Sequence, residues 1–292
     1  MYRLTQIRVN RFQDTIYEHF GEHGRVLPWR STRDPYCILV SEIMLQQTQV
    51  ERVLLKYEAF LDRLPDVASL AGARLREVLE AWQGLGYNRR AVGLQRTAQR
   101  IVNEFEGRIP ASRDALLTFP GIGPATAGAI LAFAFEEPAV FIETNIRRVF
   151  IHFFFRGRTE VHDREILPLV AETLDRQRPR TWYYALMDYG AMLKTLAQNP
   201  NRQSKHYASQ APFKGSDRQI RGAILKALLG APSLGIDEVV RAIGEPPERT
   251  RRLIHRLVQE GFLTRTEDTL RIAVGGEAKE KAFTAKNHRA VE

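Results

Sequence analysis

The chain has 292 residues, 44% hydrophobic and 26% charged, a soluble globular mix long enough for two domains that each bury a core. One cysteine, Cys37, excludes an internal disulfide framework, and no apolar run approaches membrane-spanning length. A formal net charge of +9 suits an anionic partner, nucleic acid first, although many basic proteins bind nothing anionic.

Residues 1–6 lack the apolar core of a signal peptide, so a cytosolic location is expected. Residues 8–20 read as an amphipathic helix, with Val9, Phe12, Ile16, Tyr17 and Phe20 at helical spacing. A proline-punctuated loop follows (Leu27-Pro28-Trp29-Arg30, then Asp34-Pro35-Tyr36), and residues 38–57 read as one long helix. That helix carries Glu42 with Gln46, Gln47 and Gln49. Glutamines can read base edges or fill the hole left by an extruded base; they serve equally well as a polar helix end facing water.

Residues 75–82 and 89–105 form a second helical pair around the turn Gly84-Leu85-Gly86-Tyr87. Tyr87, followed by Arg89 and Arg90, can wedge into a base stack or simply lie buried beside surface arginines. Residues 112–117 and 126–135 flank Phe119-Pro120-Gly121-Ile122-Gly123-Pro124, a helix, tight glycine turn, helix pattern. Two glycines around one aliphatic residue allow a turn too sharp for a side chain. Ala125 and Thr126 then open a helix whose amides suit a phosphate. From residue 8 to 193 no convincing alternating strand occurs, which makes this part all-α. Phe150, Phe153, Phe154 and Phe155, like Trp182, Tyr183 and Tyr184, read as packing, and His152, His162, His206 and His255 lack metal-ligand spacing.

From Ser216 the composition changes. Residues 219–229, 236–243 and 247–260 read as three helices, and 261–265 and 269–273 as a short hairpin, the order of a winged helix. Its third helix, with Arg249, Arg251, Arg252, His255 and Arg256, would be the recognition helix if the module binds DNA; the same module also serves protein partners. The layout expected is therefore a mainly α domain over 1–193, a basic linker over 194–216, a small α+β winged helix over 217–273 and a disordered tail over 274–292.

Taken in order, the blocks Leu27-Pro28-Trp29-Arg30, Glu42 to Val50, Gly84-Leu85-Gly86-Tyr87, Phe119-Pro120-Gly121-Ile122-Gly123, Glu143-Thr144-Asn145-Ile146-Arg147-Arg148-Val149 and Met187-Asp188-Tyr189-Gly190 resemble the helix-hairpin-helix DNA glycosylase superfamily, specifically its adenine DNA glycosylase branch. The resemblance covers residues 27–193. It implies that Gly121, Ile122 and Gly123 grip a DNA phosphate, often with a monovalent cation, beside Ala125 and Thr126. It further implies that Glu42 is a general acid, Asn145 a polar partner of the catalytic carboxylate and Tyr87 an intercalating aromatic, and that Gln46 and Gln47 probe the emptied stack. Breaking an N-glycosidic bond does call for one proton donor and one anionic stabiliser of a cationic sugar.

Three departures shape the expectation. Glu143 stands where the family carries aspartate. Ala125 stands where bifunctional relatives carry the Schiff-base lysine, so hydrolysis without strand cleavage is expected. The four iron-sulfur ligand positions read Lys194, Asn201, Ser204 and Gln210, so no cluster is expected. Nothing after residue 216 matches the Nudix-like domain with which relatives inspect 8-oxoguanine. The reading is a monomeric, nucleoid-associated, monofunctional DNA N-glycosylase acting on duplex DNA, with adenine from a mispair as first choice. A glycosylase for another base and a non-cutting lesion-binding protein are the alternatives.

Overall fold

A computed structural model of the protein describes residues 4–195, 199–208 and 212–274. The helices are α1 (Gln6–His23), α2 (Pro28–Ser31), α3 (Pro35–Leu45), α4 (Val50–Arg63), α5 (Val67–Gly72), α6 (Leu75–Ala81), α7 (Arg89–Glu104) and α8 (Arg113–Leu117). They continue as α9 (Pro124–Ala134), α10 (Thr144–Phe154), α11 (Asp163–Thr173), α12 (Pro179–Leu193), a 3-10 turn at Pro200–Gln203, α13 (Asp217–Leu229), α14 (Ile236–Ile243) and α15 (Pro247–Gln259). Local chemistry sets their starts. Thr5, Asp66, Ser112 and Ser216 accept amide hydrogens as N-caps, and Pro28, Pro124, Pro179 and Pro247 take the first helical position, where a missing N–H costs nothing.

One element differs from the expectation. Residues 38–57 are not a single helix but the end of α3, a turn and the start of α4. The guanidinium of Arg90 takes the carbonyls of Ile43 and Met44 at 2.8 and 2.9 Å, and Gln47 sits at φ +53°. A side chain from a distant helix thus caps α3, and periodicity alone cannot show it.

The chain forms two compact units that cut across its linear order: residues Met1–Glu42, Pro110–Thr118 and Ile122–Ser209 in one, and Ile43–Ile109, Phe119–Gly121 and Gln210–Glu292 in the other. In the first, α10 packs on α12, and Phe12 meets Phe150 and Trp182 edge-on at 5.4 and 5.7 Å within one apolar core. The aromatic run at 150–155 and Trp182 and Tyr183 are packing, as expected. In the second, α5 lies on α7, and Trp82 is fully buried against Phe60.

The second unit also holds the winged helix. Strands β1 (Leu234–Gly235), β2 (Leu263–Thr266) and β3 (Thr269–Ile272) form an antiparallel sheet in the order β1-β3-β2, with Leu263 opposite Ile272 and Leu234 opposite Leu270. Three helices and a hairpin match the sequence pattern. The two-residue β1 is additional, too short to carry any alternation. The tail expected to be disordered lies outside the described residues apart from Val274. No described helix is long and apolar enough to cross a membrane.

Candidate active site

Glu42 lies near the end of α3, a helix in which Val40, Ile43 and Met44 are buried. Burial, and next the negative Glu143, push its carboxyl up to about 8, against a smaller opposing pull from Arg30. It therefore holds its proton at neutral pH. Arg30, which favours the ionised form, is itself paired with Asp188. Its Nη1 and Nη2 meet Asp188 at 2.8 Å each, its guanidinium lies 4.5 Å from the Tyr184 ring centroid, and Asp188 also accepts from the backbone N and Nε of Arg25. Burial would raise Asp188, only 3% exposed, but hydrogen bonds from Arg30 and Arg25 hold it below its ordinary value. Arg180 fixes the neighbouring backbone by donating to the carbonyls of Arg30, Thr32 and Phe133.

Glu143 is the N-cap of α10. Its Oε1 accepts from the amides of Asn145 at 2.7 Å and Ile146 at 2.8 Å, and its Oε2 accepts from Asn145 Nδ2 at 3.3 Å. Burial raises this carboxyl while those amides and the charges of Arg147 and Arg148 oppose the rise. The longer arm of glutamate thus folds back into the cap that an aspartate makes. Asn145 faces both ways: its Oδ1 accepts from Arg148 Nη1 at 2.8 Å, and Arg148, 3% exposed, also donates to Asn199 Oδ1 at 3.0 Å and to the Gly190 carbonyl. A Cβ on Gly190 would lie 2.5 Å from the Asn145 carbonyl oxygen, so only glycine permits this approach of α12 to α10.

The iron-sulfur positions carry a different construction. Asn201 and Ser204 are buried; Asn201 Nδ2 donates to the Thr144 carbonyl at 2.9 Å, and Ser204 Oγ accepts from His206 N at 3.1 Å. Lys194 is exposed, and Gln210 lies outside the described residues. A donor set of amide, hydroxyl and ammonium does not fit an iron-sulfur cluster, which is held by thiolates. Among the described residues no cluster of His, Cys, Asp and Glu could hold a metal ion.

The hairpin residues are divided between the units. Gly121, in the second, has φ +82°, the left-handed region that favours glycine, and its carbonyl accepts from Gln46 Nε2 at 3.0 Å. Gly123 corrects the sequence reading: its φ is −95°, so its backbone does not need glycine, and it opens α9 with nothing within 4 Å of a notional Cβ. Glycine there leaves open space where a side chain would stand. Ile122 is buried, no side chain caps α9, and Ala125 and Thr126 form its first turn.

Within the second unit, Gln46 is half-buried and Gln47 exposed, both in the turn after α3 rather than on a helix. Tyr87 has φ +49° and lies between two guanidinium groups, those of Arg90 at 5.5 Å and Arg218 at 5.3 Å from its ring centroid; its hydroxyl accepts from Arg218.

The first unit therefore brings together Glu42, Glu143 and Asn145, and the second Gln46, Gln47 and Tyr87. Arg30, Arg148 and Asp188 stand in the sequence blocks that carry the resemblance but were given no role there, and Arg180 was passed over. Charge inside an apolar stretch demands partners without naming them.

Comparison with known proteins bears on the family and the fold. Residues 40–169 match the family described as the HhH-GPD superfamily base excision DNA repair protein, and residues 222–267 match the IclR helix-turn-helix domain. The solved structure of a thermostable thymine-DNA glycosylase superposes with a TM-score of 0.60 at 25% identity, over 68% of this chain and 93% of that one. Fold and site together define a DNA glycosylase of the helix-hairpin-helix class. An adenine DNA glycosylase of Buchnera aphidicola is 37% identical over 196 residues, 65% of this chain and 54% of that protein, so the chain spans about half of that relative. An adenine DNA glycosylase of Mycolicibacterium smegmatis is 35% identical over 280 residues, covering 87% of this chain and 93% of that protein. The chain belongs to the adenine DNA glycosylase family.

Proposed function

We propose that the protein flips adenine out of a mispair in duplex DNA and removes it by hydrolysis, leaving an abasic site and an uncut strand. The observation that carries the reading is the pair of enclosed carboxyls in different surroundings. Glu42, raised to about 8 by burial, keeps a proton to give; Glu143, also raised by burial, accepts from two helix amides that favour its charged form. As the bond from the sugar C1′ to the base breaks, its electron pair leaves with the base and the Glu42 proton follows onto a base nitrogen. Glu143 faces the positive charge left on the sugar; water then adds at C1′ and loses its proton to Glu143.

The glycine turn and the uncapped start of α9 support phosphate binding that positions without reading sequence, with room for a monovalent cation at the backbone. Tyr87 takes the place of the departed base, and Gln46 and Gln47 meet its partner. Ala125 carries no amine to attack C1′, so no imine forms.

Duplexes with single mispairs, treated with enzyme and hot alkali, test the scheme. Cleavage is expected at adenine opposite guanine or 8-oxoguanine. A guanine·thymine mispair belongs in the panel because a thymine-DNA glycosylase superposes on most of its length. Borohydride trapping of a covalent adduct would overturn the hydrolytic assignment, and a brown, visibly absorbing protein would overturn the clusterless one.

A further inference from the structure

We propose that the winged helix forms a working wall of the DNA site: the cleft it encloses with the turn at 84–90 seats the strand that keeps the partner of the flipped base. The proposal rests on the base-flipping reading above. The cleft has a volume of about 1140 Å³ and lies wholly within the second unit, with Gln46, Gln47 and Tyr87 on one side and Phe213, Arg218 and Lys226 on the other.

The module is fastened there. Arg76 of α6 donates to the carbonyls of Leu228, Leu229 and Ala231 at 2.9–3.0 Å, closing the C-terminal end of α13. Arg89 of α7 and Arg221 of α13 converge on Glu260, whose side chain is 12% exposed. Arg218 of α13 donates to the hydroxyl of Tyr87 and lies against its ring.

That arrangement turns α13 to the cleft and spends much of the charge of α15, the helix the sequence nominates for recognition. Arg249 pairs with Asp217 at 2.7 Å, Arg251 with Asp237 at 2.6 Å, and Arg256 lies 4.0 Å from Asp217. In the cleft the balance is reversed. Its acids, Asp217 and Glu260, are already matched by arginines, while Arg52, Lys56 and Lys226 make no ion pair among the described residues. Phe213, 61% exposed, adds a bare aromatic ring to a basic surface. Unpaired cations with an exposed aromatic are the elements that track a nucleic-acid backbone and stack its bases.

The choice of strand follows from what is absent. The strand that loses its base must reach Glu42 and Glu143, and neither lines the cleft. The complementary strand, parted from its partner where Tyr87 enters, is the one left for it.

Two exposed-side-chain changes in the full-length protein test this, with anisotropy of a labelled mispaired duplex carrying a 2′-fluoro adenosine that resists excision. In Arg52→Gln/Lys226→Gln, binding should weaken about tenfold and the slope of log affinity against log salt should flatten by about two, one per lost phosphate contact. In Phe213→Ala, binding should weaken about tenfold with the salt slope unchanged, as loss of stacking requires. Both variants should melt like the wild type. A photoactivatable base placed beside the mispair should label residues 212–274 from the complementary strand. Wild-type binding and salt slope in both variants would overturn the proposal, as would labelling of the module from the adenine strand alone. If the wild type excises adenine while these variants bind normally, the cleft assignment alone falls; if no base is excised yet the variants lose binding, the function assigned above falls and the cleft stands.

Discussion

The two units hold charge in opposite ways. Around Glu42 and Glu143, Arg30, Arg148 and Asp188 are enclosed, and each is tied by two or more hydrogen bonds. In the cleft beside Tyr87, Arg52 and Lys226 are exposed to water. Enclosed charge shifts protonation and orients groups, because the low dielectric magnifies each interaction; exposed charge attracts a polyanion and is screened by salt. Substitutions of the enclosed groups in the first unit should therefore change the rate of base removal without changing the salt dependence of binding, and substitutions of the exposed cations in the second should change that salt dependence.

The largest effect expected is in the first unit. Glu42→Gln removes the transferable proton while keeping the shape, and single-turnover excision should fall by about 10²–10⁴-fold. Binding to an uncleavable duplex should stay unchanged. Binding lost in parallel with the rate would mean that Glu42 holds the structure rather than donating a proton. Next comes Gly190→Ala. Its new methyl would meet the Asn145 backbone oxygen at 2.5 Å, and backbone cannot swing aside as a side chain can. The protein should lose about 1–3 kcal/mol by thermal or denaturant unfolding, with a drop in excision, because Asn145 and Glu143 share the start of α10.

How legible these features were follows from what each depends on. The winged helix and the helices of the glycosylase domain were legible because apolar periodicity and turn residues are local. Glu42, Glu143 and Asn145 were legible only as an ordered set of motifs; singly, each is an ordinary polar residue. The break after α3 was not legible, since Arg90, more than forty residues away, takes the carbonyls of Ile43 and Met44. Gly123 differs from Gly121 in one local respect, that it precedes Pro124, which favours extended backbone, and only Gly121 has positive φ. The Arg30–Asp188 and Arg148–Asn199 contacts join segments far apart in the chain, and a single sequence does not pair them.

A third prediction concerns pH. Since Glu42 ionises at about 8, excision should fall about tenfold per unit above that value as the donor is lost, and it should fall on the acid side as well, where Glu143, raised by burial, takes up a proton. The sign for stability follows the same group. Its folded value lies above the unfolded value of 4.5, so the fold binds the proton more tightly and its contribution is full below 4.5 and lost as pH rises to 8. Glu42→Gln has no such proton to lose. Its melting temperature relative to the wild type should therefore climb between pH 5 and pH 8, while Arg52→Gln/Lys226→Gln should show no such trend.

The smallest effect expected sharpens the comparison most. Glu143→Asp restores the side chain usual in this family and still allows capping of the Asn145 and Ile146 amides, which Glu143 now reaches at 2.7 and 2.8 Å. Stability should therefore change by less than about 1 kcal/mol, whereas Glu143→Ala, which loses the cap, should lose about 1 kcal/mol or more. The shorter arm withdraws the oxygen now near Asn145 Nδ2, shifting the negative charge by roughly an ångström relative to the sugar, a distance to which catalysis is sensitive. A change in single-turnover rate of up to about tenfold, in either direction, with an unchanged salt slope would show that Glu143 acts on the reaction and not on DNA binding. A changed salt slope would show instead that this carboxylate takes part in seating the backbone, and the division of labour between the two units would have to be redrawn.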